Sequence, residues 1–104
     1  MKRVAFKMLL HPGNEAAYKK RHDEIWSELQ DLLKQAGISD YSIFLDEETN
    51  ILFATMLVAD QDAVDRLPEQ PVMKKWWAYM KDIMASNPDN SPVSITLKQV
   101  FHLA

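Results

Sequence analysis

The chain has 104 residues, a formal net charge of −3 and no cysteine. Disulfides and thiol chemistry are therefore excluded, and no basic excess exists to neutralise nucleic-acid phosphates. One domain spanning residues 1–104 is expected, large enough for a core yet with enough surface for a partner chain to help cover it.

The opening Met1-Lys2-Arg3-Val4-Ala5-Phe6 is basic but lacks the apolar run of a signal peptide. No stretch approaches membrane-spanning length, and a cytoplasmic setting is expected. Val4, Phe6, Met8 and Leu10 alternate with Ala5, Lys7 and Leu9, which predicts a strand from about Arg3 to Leu10. Pro12-Gly13 stops it. Asn14 stands in a helix-capping position with Glu15 in the first turn. A single helix is predicted from there to Ala36, with Ala17, Tyr18, Ile25, Leu29, Leu32 and Leu33 at helical spacing and Gly37 as its stop.

Tyr41, Ile43 and Leu45 alternate with Ser42 and Phe44 in a second strand. The turn Asp46-Glu47-Glu48-Thr49-Asn50 leads into a third, from about Asn50 to Ala59. Asp60 and Asp62 open a short helical piece that Pro68 interrupts. Pro71 starts the next helix, predicted to bury Met73, Trp76, Trp77, Met80, Ile83 and Met84. Asn87-Pro88-Asp89-Asn90-Ser91-Pro92 is a turn, and a last strand is predicted from about Ser94 to Leu103.

The order βαββαβ predicts a ferredoxin-like α+β sandwich with both helices on one face of an antiparallel sheet. The third strand is apolar on both faces: Ile51, Phe53 and Leu57 point one way, Leu52, Ala54, Met56 and Val58 the other. Two helices cover only one face. A second copy packing sheet against sheet would cover the other, giving a homodimeric α+β barrel. Alternate residues of the third strand would form the contact, with Leu52 and Met56 as positions to test it.

Tyr18, His22 and Trp26 recur every four residues, which stacks a phenol, an imidazole and an indole along one side of the predicted helix. An unperturbed imidazole titrates near pH 6.5, so His22 is the candidate for proton transfer. Its plain alternative is a helix histidine that only satisfies a local hydrogen bond. Trp76 and Trp77 are adjacent and point about 100° apart. The expected division is Trp77 in the core with the methionines and Trp76 at a pocket, where an aromatic face stacks on sugar C–H groups. Tyr41 is either a pocket phenol or a rim aromatic. Lys19-Lys20-Arg21 reads as a solvated helix face. His11 and His102 are poorly placed to join His22, and no HxxxH or HExxH spacing exists, so no metal site is expected. No Gly-rich phosphate loop and no nucleophile elbow is present, which leaves a neutral small molecule as the favoured ligand.

Along essentially its whole length the chain resembles the L-rhamnose mutarotase family. The segments that carry the resemblance are Tyr18-Lys19-Lys20-Arg21-His22-Asp23-Glu24-Ile25-Trp26, Tyr41-Ser42-Ile43-Phe44-Leu45-Asp46, Trp76-Trp77-Ala78-Tyr79-Met80, and Asn87-Pro88-Asp89-Asn90-Ser91-Pro92-Val93-Ser94. Ser27 departs from it, since the family usually has proline after the tryptophan. The resemblance implies a cofactor-independent homodimeric isomerase that interconverts the α and β anomers of L-rhamnose. It implies His22 as proton donor and Tyr18, Tyr41, Trp76 and Trp77 as sugar contacts. The general base stays open between Tyr18, an acidic side chain and water. Two other classes share the expected fold or kit: cofactor-independent monooxygenases and haem-binding dimeric α+β barrels, and a sugar-binding module without catalysis.

Overall fold

A computed structural model describes all residues, Met1–Ala104. Four strands, β1 (Lys2–Leu9), β2 (Ile38–Asp46), β3 (Ile51–Val58) and β4 (Ser94–Leu97), form one antiparallel sheet in the order β2-β3-β1-β4. The helices α1 (Glu15–Asp23), α2 (Ser27–Gln35), α3 (Gln61–Asp65) and α4 (Pro71–Met80) complete an α+β architecture. No helix is long and apolar enough to cross a membrane.

Strand periodicity sorts the core. Met8 on β1 pairs with Leu52 on β3, and Phe6 pairs with Ala54. Met8, Leu52 and Ala54 are buried, and they pack in one cluster with Leu29 of α2 and Trp76 and Met80 of α4. A second cluster joins Ile38, Met56 and Val58 to Ala36 and Leu67. Leu52 and Met56 therefore face the helices. The expectation that they test a chain-to-chain contact is corrected: on this sheet the face left without helices carries the alternate set, Ile51, Phe53 and Leu57. On that other face Phe44, Ile95 and Leu9 stay 65%, 53% and 44% exposed. Antiparallel pairing sets Ile95, Lys7, Phe53 and Phe44 in one row across it.

The predicted helix from Asn14 to Ala36 is two helices. The α-helical pattern ends where Glu24 N–H donates to Lys20 O (3.0 Å); Ile25 N–H turns to His22 O (3.2 Å), and Trp26 adopts an extended ψ of 133° before α2 begins. Neither proline nor glycine marks the break. It coincides with Trp26 packing against two aromatic side chains of α4, with ring centroids 5.0 Å from Trp76 and 5.6 Å from Tyr79. Ser27 is then the first residue of α2, a position that tolerates proline because its N–H has no helical acceptor. The departure from the family at this position is conservative for that reason. Asn14 sits at the head of α1 but does not cap it with its side chain, which donates to the carbonyls of His11 (3.3 Å) and Pro12 (3.2 Å) instead.

Gly37 ends α2 with φ +84°, and a Cβ there would lie 3.1 Å from Ala59 Cβ, so both conformation and close approach demand glycine. The Asp46–Asn50 turn is held by Asp46, whose carboxylate accepts from Glu48 N–H (3.1 Å) and Thr49 Oγ1 (2.8 Å). Asp60 caps α3, accepting from the N–H groups of Asp62 (3.0 Å) and Ala63 (3.4 Å). Two predicted ends are shortened. α4 stops at Met80, leaving Ile83 in a following turn and Met84 bridged antiparallel to Leu10, with His11 N–H donating to Ile83 O (2.9 Å). β4 stops at Leu97, not Leu103, and Val100, Phe101 and Leu103 are exposed.

Candidate active site

β2 carries the irregularity that builds the site. Between Ser39 and Ser42, two residues of β2 oppose one residue of β3. This bulge places Asp40 at φ +48°, where its carboxylate takes Arg3 Nη2 at 2.7 Å. The extra residue reverses the alternation, so Tyr41, Ile43 and Leu45 all turn toward the helices. Tyr41 meets Phe6 of β1 edge to face, with centroids 6.3 Å apart.

α1 supplies the facing wall. Tyr18 and His22 lie one turn apart with their rings stacked at 4.2 Å. His22 Nδ1 lies 3.0 Å from the Tyr18 carbonyl oxygen. A carbonyl only accepts, so Nδ1 carries the hydrogen and Nε2 is the atom left for exchange with a ligand. Burial lowers the His22 pKa, against the opposing pull of the Tyr18 carbonyl and the charge of Asp23. The neutral ring with a free Nε2 lone pair is thus the resting form near neutrality.

Both phenols are pushed the other way. Burial, with a smaller contribution from Tyr41, raises the Tyr18 pKa. Tyr41 as a whole is 39% exposed, yet its hydroxyl end is desolvated and its pKa is pushed up to about 12. Neither phenol ionises near neutral pH. Protonated Tyr18 can donate a hydrogen bond to a ligand in the cavity.

Trp76 is the hub of the aromatic cluster. Its ring centroid lies 5.5 Å from His22, 5.0 Å from Trp26 and 5.8 Å from Tyr79. The expected division between the tryptophans is corrected: Trp76 is 6% exposed and belongs to the core as well as the site, while Trp77 is only half-buried. The core needs the residue on the sheet-facing side of α4, and the register of α4 gives that place to Trp76. Trp26, third in the predicted aromatic line, sits at the head of α2, packs on Trp76 and does not line the cavity.

The cavity has two lobes that share Tyr18, His22, Tyr41, Ile43, Met73 and Trp76. The larger is about 580 Å³ and runs between α2 and the sheet along Ile25, Leu29, Leu33, Leu45 and Leu52. That volume suits a small-molecule site, typically ~300–1,000 Å³. The smaller, about 80 Å³, is closed by Trp77, Met80, Met84, Ser86, Asn90 and Pro92. All five sequence-predicted site residues, Tyr18, His22, Tyr41, Trp76 and Trp77, meet at the smaller lobe. Trp77 alone among them is absent from the larger. No three His, Cys, Asp or Glu side chains gather to ligate a metal.

Arg21 was expected on a solvated face. Its guanidinium instead forks onto Asp82 (2.8 and 3.2 Å), donates to Tyr79 O (2.8 Å) and lies 4.4 Å over the Tyr79 ring. These bonds tie the last turn of α1, and with it His22, to the end of α4. The Arg21 hydrogen bonds hold the Asp82 carboxyl below its ordinary range. Only Lys19 of the basic run pairs locally, with Asp23 at 2.9 Å.

Sheet order and helix placement define a widespread α+β class. Mycobacterium tuberculosis Rv0793 shares it with a TM-score of 0.62 at 12% identity, covering 98% of this chain and 97% of that one. Such a likeness establishes the fold alone. Sequence goes further: the family model described as L-rhamnose mutarotase matches residues 3–103. The L-rhamnose mutarotase of Rhizobium etli is 62% identical over 99 residues, covering 95% of this chain and 93% of that protein. That of Brucella anthropi is 59% identical over 101 residues, covering 97% and 95%. The crystal structure of L-rhamnose mutarotase from Formosa agariphila superposes with a TM-score of 0.93 at 53% identity, covering 100% of both chains. The chain belongs to the L-rhamnose mutarotase family.

Proposed function

We propose that this protein is an isomerase that interconverts the α and β anomers of L-rhamnose by opening and reclosing the pyranose ring. The near-full-length match to L-rhamnose mutarotases carries this reading. The shared cavity, with its imidazole, phenols and indoles, supports the roles of the individual residues.

His22 is the proton-transfer residue, and Tyr18, Tyr41, Trp76 and Trp77 hold the sugar. The neutral imidazole takes the anomeric hydroxyl proton at Nε2 as C1=O1 forms and the C1–O5 bond breaks. The ring oxygen takes a proton from Tyr18, Tyr41 or a water molecule as the C1–O5 bond breaks; burial keeps both phenols protonated near neutrality and makes each a weaker acid, so a phenol gives its proton only in concert with that cleavage. The aldehyde rotates about C1–C2. On closure the C5 hydroxyl returns its proton as it attacks C1, and the imidazolium gives its own to the new O1. His22 thus becomes the proton donor after first being the acceptor. Aromatic faces and the aliphatic wall of the larger lobe suit the ring C–H groups and the C5 methyl without any charge. No cofactor enters these steps.

We further infer one ferredoxin-like domain over residues 1–104, supported by the strand order β2-β3-β1-β4 and the helices on one face. The exposed row Ile95–Lys7–Phe53–Phe44, apolar but for its one lysine, supports a homodimer packed sheet against sheet, the dimeric α+β barrel arrangement. A cytoplasmic setting accords with a chain lacking cysteine.

Exchange NMR on the anomeric protons of L-rhamnose, with and without protein, tests the activity. His22→Asn, which retains polarity but cannot shuttle a proton, should slow exchange by roughly 10²-fold or more while sugar binding changes less. Exchange as fast as wild type would reject the role of His22. The wild-type rate should rise with pH through the lowered His22 pKa and level off above it, because the neutral ring is the working form. A rate that falls through that pKa would reverse the order of proton transfers.

A further inference from the structure

The turn after α4 holds one side chain that the chemistry above leaves unused. Its other polar groups are committed to one another. Asn87 Nδ2 donates to Ser91 Oγ (3.1 Å) and Pro92 O (3.4 Å), and Ser91 N–H donates to Asp89 Oδ1 (3.0 Å). Asn87 N–H closes the turn on Ser91 O at 2.7 Å. Ser86, at the start of the same turn, spends its hydroxyl on Met84 O (3.1 Å). Asn90 bonds only through its backbone, its N–H donating to Asn87 O at 2.9 Å. Its side-chain amide has no protein partner, and the residue lines the smaller lobe together with Tyr18, His22, Tyr41 and Trp76.

We propose that Asn90 recognises the hydroxyls of the sugar, its amide gripping one or both of an adjacent pair on the ring. The inference rests on the L-rhamnose reading and extends it to selectivity. Phenol, indole and imidazole each offer one polar handle at one point. A carboxamide offers a carbonyl acceptor and an N–H donor side by side, which matches two neighbouring hydroxyls. It is also the only carboxamide that lines either lobe. A site built to bond a hydroxyl rejects the analogue lacking it, because the amide is then left unpaired out of water.

Asn90 also has φ +72°, a left-handed conformation that glycine adopts most freely and asparagine tolerates. A purely conformational role is the competing explanation, and Asn90→Gly separates the two. Glycine keeps the backbone and removes the amide. Enzyme-dependent anomer exchange is measured by NMR on L-rhamnose and on its 2-deoxy, 3-deoxy and 4-deoxy forms. Wild type should favour L-rhamnose over at least one deoxy sugar by roughly 10- to 100-fold in kcat/KM. In Asn90→Gly that preference should collapse to about 3-fold or less, with a raised KM for L-rhamnose and an undiminished melting temperature. Asn90→Asp, which keeps acceptors and loses the donor, should fall between them and serves if the glycine variant folds poorly. Preference retained in both variants, or absent from wild type, overturns the assignment. A wild type that does not accelerate L-rhamnose exchange removes the functional reading itself. An accelerating wild type with unaltered variants removes only Asn90.

Discussion

The two faces of the sheet are built from the same strands and have opposite fates. On the helix side Leu52, Ala54 and Met56 are 1%, 0% and 8% exposed. One residue away along β3, Ile51, Phe53 and Leu57 are only half-buried, and Phe44 beside them is 65% exposed. The helix side also holds the candidate site, and the bulge at Asp40–Tyr41 turns Tyr41 to that side. Hydrophobicity alone does not distinguish the two sets. What differs is which set α2 and α4 reach, and a one-residue change of alternation decides it. Strand pattern thus announces that two faces are apolar before it can say which one a partner must cover.

The largest effect that separates the faces is a charge on each. Leu52→Asp buries an unpaired carboxylate among Leu29, Trp76 and Met80, and should cost upward of ~5 kcal/mol, the whole stability of a domain at the low end of the usual ~5–15 kcal/mol. Phe53→Asp, one residue on, should leave circular dichroism and the site intact while dissociating the proposed dimer. Sedimentation and far-UV circular dichroism on both variants check this. A folded Leu52→Asp, or an unfolded Phe53→Asp at micromolar concentration, would break the contrast.

The tryptophans give a smaller contrast within one helix. Trp76→Ala removes a nearly buried ring that touches His22, Trp26 and Tyr79, and should cost about 3–5 kcal/mol along with sugar affinity. Trp77→Ala, half-buried, should cost about 1–2 kcal/mol and act mainly on KM. Urea unfolding and exchange kinetics on each variant measure both numbers. Equal destabilisation would mean that burial in the free chain misstates their roles, as it would if a partner covered Trp77.

These contrasts mark what the residues disclosed unaided. Strands, hairpin, the glycine stop at Gly37 and the cap at Asp60 follow from local chemistry, and they were legible. So was the pairing of Tyr18 with His22, because helical spacing brings them together within one turn. The break before Ser27 was not legible, since residues 14–36 contain no proline or glycine and Trp26 is drawn to α4, some fifty residues away in sequence. The bulge beside Asp40 escaped too: its stabilising contact is with Arg3 on another strand. Arg21 looked solvated because its partner, Asp82, lies beyond the far end of α4. Adjacent tryptophans posed a different problem. Periodicity says that they diverge, but only the packing of α4 on the sheet says which one turns inward.

Phe44→Ser should have the smallest effect and is the finest test of the comparison. Phe44 lies on the edge strand β2, paired with Phe53 and mostly in solvent. In a lone chain its ring contributes little, so serine should change stability by no more than about 0.5 kcal/mol at concentrations where the protein is monomeric. Removing an apolar ring from a sheet-to-sheet contact should instead weaken dimerisation, by an amount set by the area that a partner covers there. Melting curves over a hundredfold range of protein concentration separate the two, because only the dimer contribution depends on concentration. The variant should lose stability relative to wild type at the high end and match it at the low end. A loss that is the same at every concentration would place Phe44 in the fold of the single chain. No loss at any concentration would place the dimer contact elsewhere, away from the row that Phe44 shares with Phe53, Lys7 and Ile95.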